Sequence, residues 1–151
     1  PCNLAVSQVK WLANYLAKIG MPTITMEAQL KYLYQELSEA IPEKEPKYKT
    51  LHYASDELRN NILKIFPEDV LSDSNRILDS FLEKYGSSSA KMENTGKLIC
   101  SSIADLKNGA EESEQGYKSW LINPSLFDQG WIKAVLDTYA LLESKIKMEE
   151  K

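Results

Sequence analysis

The chain has 151 residues, of which 43% are apolar and 26% charged, with 18 Lys and Arg against 22 Asp and Glu. That is enough for one domain, here residues 1–151, with a real core. A net charge of −4 leaves no basic surplus to displace phosphate counterions or to hold an anionic membrane surface, so neither nucleic acid nor a lipid face is expected as partner.

The chain reads as helices separated by clear punctuation. From Asn3 to Ile19, Ala5, Val9, Leu12, Leu16 and Ile19 recur at three–four spacing, and Gly20 and Pro22 end the run. Thr25 is placed to cap a second helix, with Met26, Leu30, Leu33, Leu37 and Ala40 on one face. The charged stretch 42–49 holds two prolines and reads as a linker or loop. Thr50 then caps a third helix with the stripe Leu51, Ala54, Leu58, Ile62 and Ile65, stopped at Pro67.

Ser72 or Ser74 opens a fourth helix, with Ile77, Leu78, Phe81, Leu82 and Tyr85 apolar and Gly86 at its end. Residues 86–90 read as a flexible serine loop. A fifth helix runs from Lys91 to Lys107, with Met92, Ile99, Ile103 and Leu106 in phase and Gly109 closing it. A short acidic sixth carries Glu111, Glu112 and Glu114, then Tyr117, Trp120 and Leu121. The last carries Trp131, Val135, Tyr139, Leu142 and Ile146. No strand alternation or internal repeat is present, so the fold class is all-α, a compact bundle of about seven helices.

Chemistry is sparse. His52 is the single histidine, and one histidine on a helix is more often surface or packing than a ligand, because metal sites need several converging donors. Cys2 and Cys100 are far apart, with neither metal spacing nor the density of a disulfide scaffold, which fits a reducing compartment. Ser87–Ser89 lack the second glycine and the Lys-Ser/Thr pair of a phosphate loop. With no nucleophile–base–orienter set in view, no enzyme, cofactor or metal is expected. No apolar run approaches the ~20 residues of a membrane span. The N-terminus lacks a basic segment followed by an apolar one, so no signal peptide is read there. The last residues, KIKMEEK, read as solvated helix, and a membrane tail, if the parent protein has one, lies outside this chain. Recognition of another protein remains, most simply through an apolar groove that takes a partner helix.

The residues then carry a resemblance. Leu51, Ala54, Ser55, Asp56 and Leu58 resemble the third homology motif of the Bcl (B-cell lymphoma 2) family of apoptosis regulators, and Ile62, Ile65 and Phe66 resemble the apolar positions that follow it. Val9, Trp11, Leu12, Leu16 and Gly20 are similar to the family's N-terminal motif. Asn94-Thr95-Gly96-Lys97 is similar to its Asn-Trp-Gly-Arg signature, with Thr95 for tryptophan and Lys97 for arginine. Gln129-Gly130-Trp131 resembles its Gly-Gly-Trp. Order and rough spacing agree over most of the chain, while the span from Asn94 to Trp131 is short, as expected of a divergent relative, viral or from a distant animal lineage.

The resemblance implies a bundle around a central hairpin, at the cytoplasmic face of mitochondria or free in the cytoplasm. It implies a prosurvival role, in which a groove captures the amphipathic death-motif helix of pro-apoptotic members such as Bim, Bak or Bax. Carried onto this chain, the groove takes Leu58, Ile62, Phe66, Leu78 and Leu82 as apolar wall and Asn94, Gly96 and Lys97 as polar rim, with Lys97 facing the ligand's aspartate. Trp120 or Trp131 is left to make good the missing signature tryptophan. A homodimer is the other association considered. The alternative to the whole reading is a helical adaptor or immunity-type protein that binds another protein surface.

Overall fold

A computed structural model describes residues 2–89, 92–110 and 116–147. Among them are seven helices and no strand, the compact all-α bundle expected from the periodicity. The helices are α1 (Cys2–Lys18), α2 (Thr23–Ala40), α3 (Glu45–Leu63), α4 (Glu68–Tyr85), α5 (Thr95–Lys107), α6 (Tyr117–Leu121) and α7 (Gln129–Glu143).

Helix α5 sits at the centre. Its buried positions include Thr95, Gly96, Ile99, Cys100, Ser101, Ile103, Ala104 and Asp105, and it packs against α1, α2, α3, α4, α6 and α7. One continuous core runs from Ile62 and Phe66 through Leu71, Ile77 and Leu78 to Ile99 and Ile103, then to Trp131, Val135, Tyr139 and Leu142. Trp131 is fully buried in the core; its Nε1–H donates to the Leu121 carbonyl at 3.0 Å, and its ring stacks on Phe127. A buried indole nitrogen needs such an acceptor, and the short α6 is placed to give it one. Trp120 is largely exposed.

Several boundaries move from where periodicity puts them. Residues 42–49 are not a linker: Pro42–Lys44 form a 3₁₀ turn that leads directly into α3. Pro46 falls in that helix's first turn, where its missing N–H has no intrahelical acceptor to lose. Likewise α4 starts straight after Pro67, not at Ser72, and Ser74 lies inside it with its hydroxyl donating to the Val70 carbonyl. Helix α5 starts at Thr95; Lys91 lies outside the described residues, as do Glu111, Glu112 and Glu114. The serine loop is tied down. Ser87 and Ser88 hydroxyls and the Ser88 N–H donate to the Asp128 carboxylate, which also caps α7 by accepting from the Trp131 N–H at 2.7 Å. Those donors hold the Asp128 carboxyl well below the usual carboxylate range.

Helix α1 is turned differently from its expected stripe. Ala13 is buried and Val9 and Leu16 are half-buried, while Leu12 and Ile19 are exposed. The small side chains face inward because α1 lies close against α2, α3 and α5.

Helix α2 begins two residues before Thr25, and its start is capped from another helix. The Thr23 N–H donates to Asp105 Oδ2 at 2.9 Å and the Ile24 N–H to Ser101 Oγ at 3.0 Å, both acceptors carried by α5. Burial pushes the Asp105 carboxyl up to about 6, against the lowering effect of Thr23. A carboxyl raised in the folded state binds its proton more tightly there than in the unfolded chain. Its stabilising contribution is complete below about pH 4 and is lost as pH rises through 6. The expected outcome is a fall in stability between pH 4 and 7, up to about 3 kcal/mol from this group. Asp105→Asn, which keeps an acceptor for Thr23, should remove that fall. Urea denaturation of both proteins across the range reads it as the wild-type-minus-variant difference.

Candidate helix-binding trough

The sequence-derived groove residues divide into two sets. Leu58, Ile62 and Phe66 are each at most 1% exposed and belong to the core. Of the three, Leu58 lines a cleft, one of about 200 Å³ with Ala13, Thr23 and Asp105, apart from the other expected groove residues. The burial of all three has its cause one turn earlier on α3: Ala54 and Ser55 are also buried, and the Ser55 hydroxyl donates to the Glu27 carbonyl, so α2 closes over this face. Asp56 points outward and pairs within its own helix, 3.5 Å from His52 Nε2. His52 stacks on Tyr34 with ring centroids 5.2 Å apart, a packing role. Leu51 is half-buried beside them.

The second set comes together around surface clefts: Asn94 is exposed and Leu82 and Lys97 are half-buried, while Leu78 and Gly96 are buried beneath them. Leu78, Leu82, Asn94 and Gly96 line one cleft of about 230 Å³, with Asn75 and Met92. Lys97 and Asn94 line a larger one of about 410 Å³, bounded by Ile24 and Ala28 of α2, Arg59 of α3 and Leu71 of α4. The two clefts meet at Glu93 and Asn94. A third adjoins at Asp79 and Leu82 and continues to Glu83. From Leu71 to Glu83 the lining positions of α4 recur at helical spacing, so the trough follows one face of α4 for about 18 Å, some three turns.

Its far wall is held by an unusual helix start. Asn94 has a left-handed backbone, φ 62°, and does not cap α5 with its own side chain. Asn75 of α4 does so instead: its Oδ1 accepts from the Lys97 N–H at 3.0 Å, while its Nδ2 donates to Asn94 Oδ1 at 3.2 Å. The amide thus satisfies one of the orphan donors of the first turn from a neighbouring helix. This works because Gly96 lets the backbones touch. A Cβ there would lie 2.2 Å from the Ser74 carbonyl oxygen and 2.6 Å from the Asn75 Cα. The close approach that the resemblance gives to a ligand is made by the chain's own α4. Thr95, in the tryptophan position of the signature, is buried and donates to the Met92 carbonyl at 2.9 Å.

The trough carries cationic and apolar groups side by side. Arg59 reaches Glu68 at 3.3 Å, on the exposed side. Among the described residues no carboxylate pairs with Lys97. Ile24, Ala28, Leu71, Leu98, Leu78 and Leu82 give apolar surface along the floor and walls. No group of three or more potential metal ligands occurs among the described residues, and no helix there is long and apolar enough to cross a membrane. Cys100 is buried and its thiol is pushed up to about 11 by burial, which makes it a packing group and not a nucleophile. Sequence reading missed Asn75, Arg59 and the α2 residues; an asparagine among apolar positions on a helix was the one available signal.

Comparison of the chain with protein-family models, with curated proteins and with solved structures finds no match.

Gly96→Ala should destabilise by roughly 2–3 kcal/mol, because the clash is with backbone that cannot swing away. Gly86→Ala, at φ 64° with open space around the new Cβ, should cost only about 1 kcal/mol. Equilibrium urea unfolding of the two variants checks the order; a Gly96→Ala protein as stable as Gly86→Ala contradicts the close contact.

Proposed function

We propose that this protein binds an amphipathic helix of a partner protein in the trough along α4, as a prosurvival regulator of the Bcl kind that sequesters pro-apoptotic death-motif helices. The observation that carries the reading is the meeting of Leu78 and Leu82 with Asn94, Gly96 and Lys97 along one trough. These five positions were chosen for the resemblance and come from two consecutive helices, α4 and the start of α5. A length of about three turns suits a helix presenting apolar anchors at i, i+3/i+4 and i+7. Lys97 offers an ammonium to an acidic residue of the ligand. As a point charge it forms a less directional contact than the arginine of the family signature. The family's third motif then has a structural task in this chain: Ala54 and Ser55 seat α3 against α2, and Asp56 stays at the surface.

Death-motif peptides of Bim, Bak and Bax, titrated by calorimetry, are expected to bind with a dissociation constant below about 1 μM. Lys97→Glu and Leu82→Asp should each weaken binding at least about tenfold, ~1.4 kcal/mol, with unchanged circular dichroism. Binding that survives both substitutions, or a panel in which no peptide binds, removes the reading.

The outward position of Asp56 and the burial of Leu58, Ile62 and Phe66 favour a second reading, a helical adaptor that meets another protein through a different face. Under it the death-motif peptides do not bind, and Leu82→Asp leaves partner binding untouched.

A further inference from the structure

We infer that the outer face of α1 is a self-association surface, on which two copies of this chain pair their first helices antiparallel about a point between Trp11 and Leu12.

The face is apolar and uncovered. Trp11 is 68% exposed, Leu4 61%, Ile19 54% and Tyr15 51%, with Leu12 and Met21 also open. At 100° per residue, Leu4, Trp11, Leu12, Tyr15 and Ile19 fall on one side of the helix, opposite the buried Ala13. Trp11 and Tyr15 stack on each other at 5.8 Å, nearly parallel, so the patch is already ordered. Scattered exposed leucines are ordinary, but a contiguous stripe of this kind is not. Taking about 200 Å² for each large side chain and scaling by exposure, the five side chains of the stripe offer at most about 550 Å². Two such faces together reach about 1,100 Å², just above the ~1,000 Å² that a specific interface has to clear.

The pattern selects a second copy as the occupant. Leu4 lies seven residues before Trp11, and Ile19 seven after Leu12. Reversed about that point, Leu4 meets Ile19 of the second copy and Trp11 meets Leu12, while Tyr15 lies opposite Gln8. This is the self-complementarity that a two-fold interface requires. Charge fixes the direction. The only charged residues of α1 are Lys10 and Lys18, and Lys10 is drawn off the face by Glu57 of α3 at 3.7 Å. Antiparallel pairing keeps the two Lys18 side chains about 20 Å apart along the axis, beyond the Debye length of about 8 Å, whereas parallel pairing brings them together. A lipid surface is a poor alternative, because the chain's net charge is −4 and the face carries one lysine at its edge.

Sedimentation velocity of the whole chain from about 5 to about 200 μM tests this by mass action. The expected result is a concentration-dependent shift from 17.2 kDa to twice that mass. Trp11→Glu and Leu4→Glu, both at exposed positions, should each keep the helical spectrum and weaken self-association at least about tenfold. Trp120→Glu, an exposed tryptophan on α6, should not. A chain that stays monomeric over the whole range overturns the inference, and so does a dimer that both α1 variants leave intact.

Discussion

Helix α5 packs against the six other helices, so helix ends that meet it find their partners within the protein. The first N–H groups of α2 have no acceptor in their own helix. Asp105 and Ser101 of α5 supply the acceptors. The first turn of α5 has the same need, and Asn75 of α4 meets it. Each of these bonds spans elements distant in sequence. They fix the relative position of helices in a way that apolar contact, being non-directional, does not. The core supplies most of the free energy of folding; the caps select which packing of that core forms. Asp105 costs the protein stability at neutral pH, since burial of its carboxyl opposes ionisation. Its retention of a bonded geometry at that cost fits a residue whose task is to place α2.

Placement of α2 and α4 by α5 in turn creates the surface trough. Gly96 brings α4 close at one point, and the Asn75 amide locks the register there. The start of α2 is pinned at Thr23 by its bonds to α5. The clefts between are lined by Ile24, Leu71, Leu78 and Leu82, residues whose inner neighbours are core. Closing them would mean breaking the Asn75 cap on α5 or the Asp105 and Ser101 caps on α2.

What was legible in the sequence was the alternation of apolar stripes with Gly and Pro. That is a local property, and it placed all seven helices. Boundaries slipped where a proline was taken only as a stop. Pro46 and Pro67 stand at the beginnings of helices, where a missing N–H is harmless, and not only at the ends of the ones before. The caps were illegible because their partners lie 22 to 82 residues away. Gly96 was picked out for close approach, correctly as to its chemistry, but which backbone approaches is a tertiary fact. The same holds for Leu58, Ile62 and Phe66: periodicity marks them as buried by something, and it cannot say whether α2 or a ligand does the burying.

Helix α1 shows this limit in its sharpest form. Its periodicity supports two faces, one of small residues around Ala13 and one of large residues around Trp11. A reading that gives the largest side chains to the core chooses the second. Packing chooses the first, because α1 lies close to three helices at once, and close approach needs small side chains at the contact. The large face is then left over as a consequence of tight packing on the other side. Uncovered tryptophan, tyrosine, leucine and isoleucine at regular spacing carry a steady free-energy penalty of hydration, about 25 cal/mol for each Å² of apolar surface. A monomer gains nothing from that surface. Pairing with a second α1 would remove it from water with no new fold and no new residue.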